Sequence, residues 1–143
     1  MDEIVIDGSH AVAGRLAAYA ANKLLTGRKV TVLNAEKVVI SGNRLKIVKR
    51  YMEKRGIQLK GDPDKSPKTP RRPDLLLKRI IYGMLPSGRR NAREAAMHNL
   101  RCYMAVPKEY EAAKAEKPVK TSANLHRSFV TLEQVARDMG WKR

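Results

Sequence analysis

The sequence is poor in cysteine and in aromatic residues, and both shortages narrow what the chain can be. Cys102 is the single cysteine among 143 residues, so no internal disulfide and no CxxC metal pair is possible. With one Phe, one Trp and five Tyr, few rings are available to stack on nucleobases or to fill a core. The core must therefore rest on Val, Ile, Leu, Met and Ala, and readout of single strands by widespread base stacking is not expected.

Long apolar runs and an export signal are missing as well. No segment reaches the roughly 20 apolar residues that span a bilayer, which argues against a membrane partner. The opening MDEIVIDGSH is acidic before it is apolar, unlike a signal peptide. Together with the single cysteine, these features predict a cytoplasmic protein. A length of 143 residues predicts one domain over 1–143.

Residues that could support catalysis or hold a metal are scattered. The three histidines show neither an HxxxH nor an HExxH spacing. Cys102 alternates with Leu100 and Met104, which is typical of a small core residue rather than a nucleophile. We therefore expect no catalytic residue, no metal site and no cofactor, in a protein that is not an enzyme and has no small-molecule substrate.

Acidic residues are scarce relative to basic ones. The chain has 30 Lys and Arg against 14 Asp and Glu, which gives a net charge of +16 and a pI near 10.3. Residues 44–101 hold 17 basic and 5 acidic side chains, a net of +12, whereas 1–43 carry +1 and 102–143 carry +3. Such a concentrated positive charge is typical of a protein that binds a polyanion, and a nucleic acid is the expected partner.

The apolar pattern predicts an α/β domain. Short apolar runs predict strands at 4–6, 30–33, 38–40 and 100–106. Helical spacing predicts helices over 12–25, 44–55, 73–84 and 89–99, a charged helical piece at 108–116, and a last helix that starts with the capping-box spacing of Thr131 to Gln134. Asn43 is the expected N-cap of the second helix, whose Leu45, Val48 and Met52 should face the core.

Two segments fall outside that regular pattern. Residues 57–73 contain four of the seven prolines, so they predict a basic proline-rich loop without regular structure. A disordered linker is the alternative. Because a linker joins two domains and only one is predicted, we favour a loop that becomes ordered on its partner. Residues 118–143 are expected to form a C-terminal extension.

The stretch GMLPSGRRNA, residues 83–92, has the glycine spacing of a nucleotide phosphate-binding loop. Such a loop needs a strand before it, and Lys followed by Ser or Thr after the second glycine. This stretch follows a predicted helix and has Arg89 and Arg90 at those two positions. We favour a phosphate site for nucleic acid at the start of a helix, formed by Arg89, Arg90 and Arg93. An ordinary solvated helix start is the alternative.

Two further basic segments predict contacts with a phosphate backbone. The second helix has a basic face with only Glu53 as an acidic neighbour, and its candidate residues are Arg44, Lys46, Lys49, Arg50 and Lys54. An extended basic loop can follow a groove between RNA helices, and the candidates in the proline-rich loop are Lys60, Lys65, Lys68, Arg71 and Arg72.

Four stretches, in order, resemble the family of the thirteenth protein of the large ribosomal subunit, in its archaeal form. They are DGSHAVAGRLAAYAANKLLTG, VTVLNAEKVVISGN, LLKRIIYGMLPSGR and LRCYMAVP, and the resemblance covers nearly the whole chain. It implies a three-layer α/β/α fold around a mainly parallel four-stranded sheet, with loops and tails docked on large-subunit rRNA beside neighbouring ribosomal proteins. It also implies that Arg15 and Arg89 contact rRNA. One departure is Ala105, where the family tends to have glycine, shortly before Pro107.

These features predict a structural constituent of the large ribosomal subunit that binds rRNA chiefly through phosphates and supports subunit assembly. Two alternatives stay open at this point. A free-standing nucleic-acid-binding regulatory protein should bind duplex DNA and rRNA fragments with similar affinity at matched salt. An enzyme with a degenerate nucleotide loop should bind ATP saturably.

Overall fold

The described part of the chain folds into an α/β domain with five α-helices and five β-strands. The structure, a computed structural model, describes residues 3–88, 90–118 and 121–142. Along the chain these elements are β1 (Glu3–Asp7), α1 (Ala13–Leu25), β2 (Lys29–Leu33), β3 (Val39–Ser41), α2 (Arg44–Gly56), α3 (Pro73–Met84), α4 (Arg90–His98), β4 (Leu100–Cys102), β5 (Phe129–Thr131) and α5 (Leu132–Asp138). None of the described helices is long and apolar enough to cross a bilayer.

Three strands form a parallel sheet in the order β1-β2-β4. The predicted α/β class is confirmed, but β3 does not join this sheet as a fourth strand. It pairs antiparallel with β5 instead, with Ile40 opposite Val130. The strand β5 has only three residues and was not predicted from the sequence, so β3 was predicted without its true partner. The three-layer arrangement stays a prediction.

One face of the parallel sheet forms the core with α1 and α3. Ile6, Val30 and Val32 are fully buried, and the helix α3 adds its own buried residues Leu76, Leu77 and Ile81. α1 lies over this core through a face of small and apolar side chains, which are Leu16, Ala17, Ala20, Ala21 and Leu24. The small alanine side chains allow α1 and α3 to approach closely. The apolar face that the sequence spacing predicts for α1 is therefore buried by tight helix packing.

The other face of the sheet is polar and is crossed by an irregular segment. The Thr31 hydroxyl donates to Glu3 Oε1 over 2.8 Å, and the Tyr110 hydroxyl donates to the same atom over 2.8 Å. Beyond Tyr110 the chain runs beside β1, where Glu116 exchanges backbone hydrogen bonds with Val5 and Asp7. The predicted helical piece at 108–116 is therefore wrong beyond a single 3-10 turn at Lys108–Tyr110, and its last residue pairs with β1 instead.

Helix α2 begins as predicted, since Asn43 Oδ1 accepts a 2.9 Å hydrogen bond from the amide of Leu45. Its predicted core face is wrong at Leu45 and Met52, whereas Val48 is half-buried. Leu45 is 79% exposed and Met52 is 48% exposed, whereas Ile47 and Tyr51 contact the core. At about 100° per residue, the helix is turned by roughly a quarter of a revolution from the predicted orientation. The side of α2 that carries Leu45 and Met52 therefore faces outward.

The turn after β4 explains why that strand is shorter than predicted. Ala105 adopts a left-handed backbone conformation with φ of 61°. Its carbonyl accepts from the amide of Asn34 over 3.2 Å, and its amide donates to Glu36 Oε2 over 3.0 Å. These bonds redirect the chain after Cys102, so the strand predicted to reach residue 106 ends early.

The C-terminal helix α5 starts with the predicted capping box. The amide of Gln134 donates to Thr131 Oγ1 over 3.3 Å, and Gln134 Oε1 accepts from the amide of Thr131 over 3.2 Å. Leu132, Val135 and Ala136 are buried in the core. The C-terminal extension is thus anchored to the domain through β5 and α5.

Candidate nucleic-acid interface

The outward side of α2 bears four of the predicted phosphate contacts, and all four side chains are exposed. Lys49 lies 4.0 Å from Glu53, and Lys54 Nζ lies 5.7 Å from the centre of the Tyr51 ring. Lys46 and Arg50 have no carboxylate partner in the described part of the chain. Since these two are four positions apart, they form a basic ridge along the helix.

Arg44 differs from its neighbours because its guanidinium is bound to a carboxylate. Its Nε and Nη2 atoms donate to the two carboxylate oxygens of Asp138, over 2.7 and 2.6 Å. The hydrogen bonds from Arg44 hold the pKa of Asp138 below its ordinary value. This fork joins α2 to α5, so Arg44 has a structural partner before any nucleic acid arrives.

The proline-rich loop has the irregular structure predicted, with one 3-10 turn at Pro63–Lys65. It is attached to the domain: Arg55, in the last turn of α2, donates to the carbonyl oxygen of Thr69. Within the loop the amide of Leu59 donates to Ser66 Oγ over 2.9 Å. The first bond joins the loop to α2, and the second joins two parts of the loop to each other.

The basic side chains of the loop fall into two groups. Lys65 forms a 2.7 Å ion pair with Asp62, and Arg72 binds both oxygens of Asp74 over 2.8 and 3.2 Å. Asp74 lies in the first turn of α3, where its negative charge also interacts favourably with the helix macrodipole. The remaining three are exposed and lack an ion pair within the described residues: Lys60, Lys68 and Arg71.

The stretch at 83–92 joins α3 to α4. Arg89 lies outside the described residues, and of Arg90 only its place as the first residue of α4 is described. The guanidinium carbon of Arg93 lies 3.6 Å from the centre of the Tyr82 ring, and its Nη2 donates to the Tyr82 carbonyl oxygen over 2.7 Å. Arg93 therefore bridges the two helices instead of projecting freely.

Two basic residues on α3, Lys78 and Arg79, were not predicted from the sequence as phosphate contacts. Leu75, Lys78, Arg79 and Tyr82 follow the i, i+3, i+4, i+7 spacing of one helix face, which lies opposite the buried residues. That spacing was visible in the sequence and could have identified them. Arg79 also lines a cavity of about 190 Å³ together with residues of α2 and of the loop, among them Tyr51, Lys54, Pro67 and Thr69.

A continuous basic surface thus runs from α2 across the loop to α3. We define the basic surface as Lys46, Lys49, Arg50, Lys54, Lys60, Lys65, Lys68, Arg71, Lys78 and Arg79. Arg15 is exposed in the first turn of α1, and no contact within the described residues joins it to this surface. The arrangement offers many cations over a long path, which suits the phosphates of a nucleic-acid backbone.

The described residues offer little for catalysis. Among them, no three His, Cys, Asp or Glu side chains are grouped to hold a metal ion. Burial raises the pKa of the Cys102 thiol to about 12, so this side chain is a protonated core thiol near neutral pH. Its position against the core agrees with the interpretation of Cys102 as a small core residue.

Comparison with known proteins places the chain in a family. The family model described as Ribosomal protein L13 matches residues 1–109. A relative from Methanopyrus kandleri is 38% identical over 142 residues, which span 96% of this chain and 87% of the relative. A relative from Archaeoglobus fulgidus is 36% identical over 144 residues, which span 99% and 90%. Both are described as large ribosomal subunit protein uL13. The chain therefore belongs to the ribosomal protein L13 family.

Proposed function

We propose that this chain is a structural, non-enzymatic constituent of the large ribosomal subunit. It binds large-subunit rRNA mainly through phosphates, supports subunit assembly, and lies beside neighbouring ribosomal proteins in the cytoplasmic ribosome. The names of its relatives, large ribosomal subunit protein uL13, support this assignment. The structural observation that supports it most is the basic surface, with its excess of cations that lack a carboxylate partner.

Only two of the ten cations of the basic surface, Lys49 and Lys65, have a carboxylate within 4.0 Å in the described part of the chain. Neighbouring like charges repel one another and reduce stability, so an anionic partner is needed to offset this repulsion. A phosphate backbone supplies anions at regular spacing along a path, as the cations of α2, the loop and α3 require. Each phosphate contact should steepen the salt dependence of binding.

Structured RNA is the form of nucleic acid that fits this surface. A-form helices are recognised largely through shape and phosphates, with little reading of base edges. The scarcity of aromatic side chains agrees with that mode, because extended single strands are usually held by rows of stacked rings. Family membership also favours a ribosomal role over a free-standing regulator or an enzyme.

Binding at varied salt tests the role of the basic surface. The double change Lys46→Gln with Arg50→Gln should weaken binding to in vitro transcribed large-subunit rRNA. It should also reduce the slope of log affinity against log salt by roughly 0.7 to 0.9 per lost phosphate contact. The matched control removes two exposed charges outside both the predicted contacts and the C-terminal extension, with Lys108→Gln and Lys114→Gln, and should leave the slope nearly unchanged. Equal effects of both doubles would contradict a localised interface.

Sedimentation tests the ribosomal assignment itself. The tagged full chain should travel with large subunits through a sucrose gradient at low salt. A chain found only in the soluble fraction would show that the proposal is wrong. Equal affinity for duplex DNA and large-subunit rRNA at matched salt would favour the free-standing regulator.

A further inference from the structure

At the α3 end of the basic surface, one face of the helix carries exposed apolar side chains. Leu75 is 41% exposed and Tyr82 is 37% exposed. They line an open cavity of about 390 Å³, which Pro70 of the loop and Met97 of α4 also border. The remaining lining residues are Lys68, Lys78 and Arg79. Four apolar residues therefore line the cavity together with three cations, and we call these two groups the apolar floor and the cationic rim.

This combination needs a ligand with both an apolar face and a negative charge. None of the lining residues is acidic, and none of the three cations forms an ion pair within the described residues. A phosphate alone would satisfy the cations but would leave the exposed apolar side chains with no favourable contact. An aliphatic side chain of another protein would cover the floor but would leave the cations unmatched.

We propose that this cavity receives one unstacked nucleotide of large-subunit rRNA, an inference that rests on the proposed function. The base lies against Leu75, Tyr82 and Met97, and the adjoining phosphate lies against the cationic rim. RNA hides its base faces within helices and presents them only where a nucleotide leaves the stack. A base is therefore the part of RNA that can cover the floor.

The receiving surface is already ordered in the protein alone. Arg93 covers the Tyr82 ring at 3.6 Å and bonds to the carbonyl oxygen of the same residue, which fixes the ring relative to α4. The loop side of the cavity is held by the hydrogen bond between Arg55 and Thr69, next to Pro70. Binding would thus order few protein side chains, which lowers its entropic cost.

Photocrosslinking from the cavity identifies its occupant. We would place the photoreactive residue p-benzoylphenylalanine at position 75 of the full chain, in assembled large subunits. The expected product joins the protein to an unpaired nucleotide of the rRNA. A matched probe at position 25, an exposed leucine at the end of α1, should not react with that nucleotide.

The outcomes separate this inference from the proposed function. Subunits that contain the protein but crosslink it at position 75 to another ribosomal protein, or to nothing, would overturn the inference alone. A chain absent from large subunits would overturn the proposed function, and the inference with it.

A binding series in solution gives a second test. Leu75→Ser should weaken binding to in vitro transcribed large-subunit rRNA by about tenfold with an unchanged salt slope, since stacking on an apolar floor is not ionic. Lys78→Gln should instead reduce the slope by roughly 0.7 to 0.9. Leu75→Met should restore most of the affinity, and Leu25→Ser should have no effect. Wild-type affinity of Leu75→Ser would overturn the inference.

Discussion

The central guanidinium carbon of Arg93 lies 3.6 Å from the centre of the Tyr82 ring, and its Nη2 donates to the Tyr82 carbonyl oxygen. This contact joins α4 to α3 across the glycine-containing stretch between them. The sequence predicted Arg93 as a phosphate ligand, whereas the structure gives it an intramolecular partner. Arg93 should therefore contribute to the stability of the fold and add little to the salt dependence of RNA binding.

Replacing Arg93 tests this distinction. Arg93→Ala should lower the free energy of unfolding by about 1 to 2 kcal/mol, because a cation–π contact and a hydrogen bond are lost. Urea denaturation measures this change, and the salt slope of rRNA binding should fall less than for Arg50→Gln. Unchanged stability with a full loss of slope would instead identify Arg93 as a phosphate ligand.

The ionised carboxylate of Asp7 contributes to the acid stability of the fold. Burial raises its pKa, but hydrogen bonds from Asn34 and from the amide and hydroxyl of Ser9, with the ammonium of Lys117, outweigh burial and lower the pKa to about 2. Because the folded pKa is below the ordinary value of 3.8, the stabilisation is present above about pH 5 and is lost as pH falls toward 2.

Asp7→Asn should therefore cost about 2 kcal/mol of unfolding free energy near pH 7. Between pH 5 and pH 2, stability should decline less steeply in the variant than in the wild type. Urea denaturation at several pH values measures both effects. The control Asp64→Asn removes an exposed carboxylate that has no ion pair in the described ranges, and it should keep the wild-type decline. Parallel curves for wild type and Asp7→Asn would contradict the assignment.

Ala105 offers a stabilising substitution. Its φ of 61° costs a residue with a Cβ roughly 1 to 2 kcal/mol, which glycine avoids. Glycine in turn lowers the free energy of unfolding by about 0.5 to 1 kcal/mol, because it increases the conformational entropy of the unfolded chain. We expect Ala105→Gly to raise the unfolding free energy by about 0.5 to 1 kcal/mol. Ala18→Gly, within α1, should lower it by about 1 kcal/mol, and two losses of similar size would refute the strain at residue 105.

Leu45 tests the orientation of α2. If Leu45 faces outward, Leu45→Ser should change the unfolding free energy by no more than about 0.5 kcal/mol. The buried comparison Leu76→Ala should cost about 2 to 5 kcal/mol. Thermal and urea denaturation measure both variants. A loss for Leu45→Ser of the same size as for Leu76→Ala would show that the predicted core face was right after all.

Local signals predicted the parts of the fold that local interactions determine. The cap at Asn43 and the capping box at Thr131 were found because their hydrogen bonds close within three residues. The strands of the parallel sheet were found because their apolar runs are buried. Helix α2 was turned the wrong way because its burial depends on α5, to which Arg44 is tied through Asp138, a residue 94 positions away.

The candidate site was predictable only in outline. The charge distribution located the basic surface in the middle of the chain, but it could not show which cations already have partners. Arg44 and Arg72 are bound to Asp138 and Asp74, whereas Lys46 and Lys68 have no carboxylate partner in the described ranges. Pairings between distant segments depend on tertiary contacts, so sequence spacing alone treats all these side chains alike.

The pairing of β3 with β5 sets an order on folding. Ile40 meets Val130, 90 positions later, and the amide of Leu132 donates to the carbonyl oxygen of Val38 over 2.8 Å. β3 cannot pair with β5 until residues 129–131 have been synthesised, and an unpaired strand edge invites association with other chains. In the folded chain β5 covers this edge of β3 and so protects it from such association.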